Sequence, residues 1–260
     1  DYTVYLDFLG IASMDLRFGG EASSAGVYHS VYDDFYWETH FGDTDFAYGR
    51  ALSQTIGTVV MRMADADLLP FDFNAMTNTV RRYETELETL AQTERDQIIE
   101  RNRQIDDHVF EAISDPKDPT FAPPREDVPP FLNFAPMRNS LERLTHASEH
   151  YARAHAGAMQ GGGAKLATAS LSSVNQMVFQ CERALTDAQG LSGRPWFKHM
   201  LYAPGFYTGY GVKTIPAVRE SIEQKQWALA DREIVRVSGV LDKESAAIDA
   251  AATALEQAIR

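Results

Sequence analysis

Apolar residues recur at helical spacing from about Asp45 to the end of the chain, and polar or proline-rich stretches divide that pattern into segments. Leu52, Ile56, Val59, Val60 and Met63 share one face of a helix expected over residues 46–66. Pro70 interrupts it, because the residue before a proline is pushed toward extended backbone. Asn74 is then expected to cap a long polar helix running to about Ile113. Its apolar stripe is Val80, Tyr83, Leu87 and Leu90, and Glu84, Glu88, Arg95, Asp96, Arg101 and Arg103 fall on the solvated side. Residues 114–136 contain Pro116, Pro119, Pro123, Pro124, Pro129, Pro130 and Pro136, a density that excludes regular structure and predicts an extended connector over the surface. Further helices are expected at about 137–158, 165–187, 214–224 and 228–259, with glycines 161–163 as a break. The last is alanine-rich, carries Ile234, Val237, Leu241, Ile248 and Leu255 at helical spacing, and looks built for close packing.

Before Asp45 the pattern differs. Val4, Tyr5, Phe8 and Leu9 fall at helical spacing behind Asp1, a possible cap. Ala12, Met14, Leu16 and Phe18 alternate, which predicts a strand with one buried face. The glycines and serines of residues 19–26 form a loop that delivers the chain to Tyr28 and His29. No internal repeat is visible. The pattern reads as a small α/β segment followed by an antiparallel helical bundle, an architecture used more often for packing or association than for chemistry.

Composition narrows the partners. A formal net charge of −13 makes a phosphate-backbone partner an unlikely match, so no nucleic acid is expected. No run of about 18 apolar residues occurs, so no segment is expected to span a membrane. The chain opens on Asp1-Tyr2-Thr3, with neither an initiator Met nor a basic-then-apolar leader, which suggests a mature, trimmed or excised piece. Cys181 is the one cysteine, so an intrachain disulfide is impossible, although that leaves the compartment open.

Candidate chemistry centres on His29. A catalytic zinc takes three protein ligands and keeps an open position, yet no HExxH and no paired Cys/His spacing surrounds this residue. Either His29 is structural, or the rest of its site lies outside these 260 residues. Asp33 and Asp34 are near in sequence and could orient an imidazole. His146-Ala147-Ser148-Glu149-His150 fits the H-x-x-E-H pattern of inverted zinc peptidases, but its strongly polar setting favours an ordinary surface helix. Tyr207, Tyr210 and Lys213 follow the Ala203-Pro204-Gly205 turn, as either a packed connection or a loop offering hydroxyls to an anion. A glycine-rich phosphate loop, a Gly-x-Ser-x-Gly elbow and a Cys/His dyad are all missing from the sequence.

Five separated strings agree in order with one family. Leu9-Gly10-Ile11-Ala12-Ser13, Tyr28-His29-Ser30-Val31-Tyr32, Leu69-Pro70-Phe71-Asp72, Arg194-Pro195-Trp196-Phe197-Lys198-His199 and Tyr202-Ala203-Pro204 resemble the glutamate carboxypeptidase II and transferrin receptor family of M28-type di-zinc peptidases and their non-catalytic relatives. The resemblance implies the end of a peptidase domain over residues 1–66 and a helical transferrin receptor-like dimerisation domain over 67–260, with the proline-rich stretch at about 114–136 as an insertion. The implied fold is mainly α, a helical bundle preceded by a small α/β remnant. By the same resemblance His29 is a zinc ligand, and Tyr28 donates its hydroxyl to the scissile carbonyl as negative charge builds. Arg17 keeps half of the family's arginine patch, with Asp15 where another arginine would stand. The family's lysine–tyrosine pair, which holds a terminal glutamate, appears as Gly209-Tyr210, leaving Tyr210 to meet a terminal carboxylate and glutamate preference in doubt.

The resemblance further implies two zinc ions in the full-length parent, completed by ligands earlier in that polypeptide, together with a peptide substrate, a homodimer and a secreted or periplasmic location. Two functions follow as expectations: the C-terminal portion of a zinc exopeptidase, or an association module whose peptidase remnant does no chemistry.

Overall fold

The computed structural model of the chain describes residues 2–19, 27–160 and 168–259. The predicted break at glycines 161–163 and most of the loop at 19–26 lie outside the described residues. The chain divides into two units, one of residues 3–12 with 71–260 and one of residues 13–70.

The larger unit is a helical bundle. Its helices are α3 (Phe73–Asp106), α4 (Val109–Ala112), α5 (Ala135–Gln160), α6 (Thr168–Ala184), α7 (Pro216–Glu223) and α8 (Trp227–Ile259). The smaller unit holds α1 (Phe35–Phe41) and α2 (Ala47–Ala64). Helix α8 is the axis of the bundle, packing against α5, α6 and α7, while α3 packs against α5. The alanine-rich pattern explains this position, since Ala230, Ala251 and Ala252 are fully buried and let neighbouring backbones approach. Ile234, Val237, Leu241, Ile248 and Leu255, the expected stripe, are all buried. Each such side chain contributes roughly 1.5–3 kcal/mol by leaving water. The chain is mainly α, as expected.

Three details differ from the sequence reading. The cap of α3 is Asp72, whose carboxylate accepts the Ala75 N–H at 3.0 Å, so the helix begins one residue before Asn74. The helix stops at Asp106 because His108 takes a left-handed conformation, φ 55°, and α4 is a separate turn. Glu84, expected on the solvated side, is 6% exposed and lies 3.5 Å from Arg138 of α5. The helix period places Glu84 beside Val80 and Leu87, so the packing of α5 covers it.

Residues 114–134 of the proline-rich connector form no helix or strand and wrap the bundle, whereas Ala135 and Pro136, expected in the connector, open α5, because a proline is tolerated in a helix's first turn. Asn102 donates from Nδ2 to the Glu126 carbonyl at 2.7 Å, Arg101 and Lys225 pair with Glu126, and the Asn133 N–H reaches Asp231 at 3.1 Å. These bonds satisfy an extended backbone that has no ladder of its own.

The N-terminal turn Val4–Phe8 is π-helical. It is bound to the bundle through the Asp7 carbonyl, which accepts the N–H groups of Lys198 and His199 at 2.8 and 3.0 Å. Phe8 meets Phe197 edge-on at 5.2 Å. The strand expected over residues 12–18 does not form: residues 11–19 have no regular structure, and Met14 and Phe18 are 66% and 53% exposed. Alternation supplies a sheet face, but a strand also needs a partner backbone, and none pairs with it among the described residues. The two strands among the described residues are instead β1 (Tyr202–Pro204) and β2 (Val212–Thr214), an antiparallel hairpin.

In the unit of residues 13–70, Asp34 caps α1 by accepting the Trp37 N–H at 2.8 Å. Asp43 fixes the start of α2 by accepting the Tyr48 and Gly49 N–H groups at 3.1 and 2.7 Å. The apolar face expected for α2 is only partly covered, with Ile56, Val60 and Met63 at 41%, 60% and 36% exposure and Leu52 and Val59 half-buried.

Candidate functional site

Tyr28 and His29 sit in a short turn built by the Ser30 N–H to the Val27 carbonyl, 2.8 Å, and the Asp33 N–H to the Ser30 carbonyl, 3.2 Å. His29 has φ 62°, a left-handed conformation that a residue with a Cβ adopts only when its surroundings impose it. Here the His29 N–H points at the Asp33 carboxylate, 3.4 Å away. The Tyr28 ring stacks on the imidazole with centroids 3.9 Å apart, and both side chains are exposed. Asp33 and Asp34 therefore both serve backbone groups, one the turn and one the α1 cap. Among the described residues no group of three His, Cys, Asp or Glu side chains converges to hold a metal ion. These residues alone do not make up a zinc site, and His29 has one donor to offer.

The second histidine motif resolves as a surface clasp. His146 is exposed, whereas both ring nitrogens of His150 reach α8: Nδ1 lies 2.7 Å from Asp249 and Nε2 3.2 Å from Glu256. The Asp249 carboxylate, then that of Glu256, holds the His150 pKa above its ordinary value despite partial burial.

Tyr210 lies on the loop 205–211 between β1 and β2. The loop closes on itself through the Gly205 N–H and the Thr208 hydroxyl, which donate to the Gly211 carbonyl at 2.9 and 2.7 Å. It presents Tyr207 and Tyr210 at 83% and 71% exposure. Lys213 cannot stand in for the family's lysine in this arrangement, because its ammonium pairs with Glu223 of α7 at 2.7 Å. Arg17 is exposed in the irregular segment 11–19. Tyr28, His29 and Arg17 belong to the unit of residues 13–70, and Tyr210 to the helical unit.

Sequence reasoning missed a set of buried polar groups. His199 is fully buried, and its Nδ1 accepts the N–H groups of Leu201 and Tyr202, each at 3.2 Å. The proton therefore sits on Nε2, which donates to Glu182 at 2.8 Å. Asp7, near His199, is 1% exposed with neither carboxylate oxygen hydrogen-bonded, and burial pushes its pKa up to about 6. Arg194 and Glu220 form a buried pair at 2.6 Å. Only the string 194–199, noted for its resemblance, hinted at any of these, since burial of a polar residue leaves no periodic trace.

Residues 132–249 match the transferrin receptor-like dimerisation domain. The class is thus set: the helical unit carries a dimerisation domain of that type. Over 92% of its length the chain is similar to the probable glutamate carboxypeptidase LAMP1 of Arabidopsis thaliana, with 27% identity across 248 residues that make up 29% of that protein. It is also 27% identical over 243 residues to a probable glutamate carboxypeptidase of Arthroderma benhamiae, covering 93% of this chain and 28% of that one. A shorter match of 31% over 88 residues, 32% of this chain and 12% of the relative, joins it to the aminopeptidase NAALADL1 of Mus musculus. The chain spans less than a third of the length of the curated relatives it matches. The matched part is a transferrin receptor-like dimerisation domain, and the similar proteins are named as probable glutamate carboxypeptidases and an aminopeptidase. No helix among the described residues is long and apolar enough to cross a membrane.

Proposed function

We propose that this chain is the C-terminal portion of a secreted di-zinc exopeptidase of the glutamate carboxypeptidase kind, supplying one zinc ligand, substrate contacts and a homodimer interface. The observation that carries the reading is the retention of Tyr28 and His29 on an exposed turn, in a chain whose helical unit matches the family's dimerisation domain. A zinc pair, when bound, polarises the scissile carbonyl and lowers the pKa of a bound water. His29 offers its imidazole to one ion, with the other ligands coming from preceding sequence of the parent polypeptide. Tyr28 offers a hydroxyl to the developing oxyanion. Arg17 is a substrate contact, and Tyr210 offers a hydroxyl to a terminal carboxylate. The peptidase part ends near residue 66, and the helical part from 67 onward associates with a second copy through an isologous contact.

A second reading, a non-catalytic association module, is favoured by one observation: the part of the chain that matches a family model is a dimerisation domain. One assay separates the two. The full-length parent is expected to release the terminal residue from a peptide with a free carboxylate, to ignore the corresponding amide, and to lose the activity with a chelator and regain it with zinc. A full-length protein without zinc-dependent cleavage would leave the association module as the function. The 260-residue chain alone is expected to hydrolyse no peptide.

A further inference from the structure

The base of the loop that carries Tyr210 is held by a buried ion pair. Glu220, on α7, accepts the Phe206 N–H at 2.8 Å and an Arg194 Nη2 donor at 2.7 Å through the same oxygen, Oε1. Its Oε2 accepts from the same Nη2 at 2.6 Å. Nη1 of Arg194 donates to the Pro204 carbonyl, the last residue of β1. The guanidinium lies 5.5 Å from the Phe197 ring and 5.4 Å from the Phe206 ring, within cation–π range of both. The two charged side chains are only 7% and 12% exposed.

The pair thus grips the hairpin where it leaves β1, through one carbonyl, one N–H and one ring. Neighbouring backbone is shaped to allow this. Gly193 has φ 71°, and a Cβ there would stand 3.2 Å from the Phe206 ring. Lys213 anchors the returning strand to Glu223, on the same helix as Glu220. Stability alone is a poor reason for such a design. A buried ion pair is often no better than well-packed apolar residues. Here Arg194 also leaves its Nε buried without an acceptor, which is destabilising. A planar, forked donor with fixed geometry is what holding one backbone position requires.

We propose that Arg194 and Glu220 are positioning residues that fix the height and angle at which the 205–211 loop presents Tyr210 to a substrate carboxylate. The substrate side of this inference rests on the reading of Tyr210 given above; the grip on the hairpin does not. Loosening the pair should weaken ground-state binding of the carboxylate and leave the chemical step alone, so it should appear in KM and not in kcat.

Two measurements test it. In amide hydrogen exchange on the 260-residue chain, Glu220→Gln and Arg194→Lys should each speed exchange at residues 205–211 by about tenfold or more, with α5 and α8 as protected as in the wild type. Exchange unchanged in the loop, or raised equally throughout the bundle, overturns the proposal. Should Glu220→Gln fail to fold, Phe206→Ala removes one ring from the guanidinium at a half-exposed position and is expected to accelerate the same amides. In the full-length protein, Glu220→Gln should raise KM for a free-carboxylate peptide about tenfold with kcat within about twofold, and should add little to Tyr210→Phe. A fall in kcat with KM unchanged, or full additivity with Tyr210→Phe, overturns the substrate side. If the wild-type protein cleaves no such peptide, the exopeptidase reading fails by itself, and the exchange experiment still decides the positioning.

Discussion

Glu244 offers a quantitative test of how the bundle treats a buried charge. It sits on α8 with no exposed surface, and neither carboxylate oxygen has a hydrogen-bond partner. Burial, reinforced by the nearby Glu182 carboxylate, pushes its pKa from 4.5 up to about 9. The folded chain therefore keeps this proton at neutral pH, whereas the unfolded chain releases it. Because the folded value is raised, the contribution to stability is complete below 4.5 and is lost as pH climbs toward about 9. Between pH 5.5 and 8.0, both inside that window, the unfolded state gains 2.5 units of ionisation free energy, about 3 kcal/mol at about 1.4 per unit.

Glu244→Gln keeps the shape and cannot ionise, so it should lack this loss. Urea unfolding followed by circular dichroism, on wild type and variant at the two pH values, reads the difference directly. Asp7 and Glu84, whose pKa values are raised to about 6 and about 7, titrate in both proteins and cancel. The variant should become more stable relative to wild type by about 3 kcal/mol on going from pH 5.5 to 8.0. The same stability difference at both pH values would show that Glu244 is ionised in the folded chain and would refute the reasoning.

Leu241→Ala, at a position with no exposed surface between α8 and its neighbours, should cost about 2–5 kcal/mol in the same unfolding assay. His150→Gln should remove a stabilisation that is present in wild type below pH 6.5 and fades as pH rises through the raised histidine pKa, visible as a flatter melting temperature against pH. Light scattering on the chain should give a mass near twice 29.0 kDa if the helical unit dimerises, and a monomer at micromolar concentration would count against that.

The helices were legible because their burial is periodic. Val80, Leu87, Ile234, Leu241 and Leu255 recur at helical spacing and are buried where that spacing places them. The proline density of 114–136 was equally plain, since seven rings remove donors and fix φ whatever surrounds them. What stayed hidden depends on partners distant in sequence. Met14 and Phe18 alternate like a strand, but pairing is decided by another backbone. Glu84 looked like a surface acid because nothing local announces that Arg138 and α5 will cover it. The Arg194–Glu220 grip joins residues 26 positions apart through a hairpin that no short-range pattern specifies. His29 was conspicuous only by its string, and the structure adds its left-handed turn and its stacking on Tyr28.

The central claim, that His29 is one ligand of a zinc site completed elsewhere in the parent, is tested most directly by metal analysis of the purified full-length protein and its His29→Ala variant. The account predicts a zinc pair in each wild-type protomer, and the loss of at least one ion in the variant with its oligomeric state unchanged. Equal zinc content in the two proteins, or no zinc in the wild type, would contradict it.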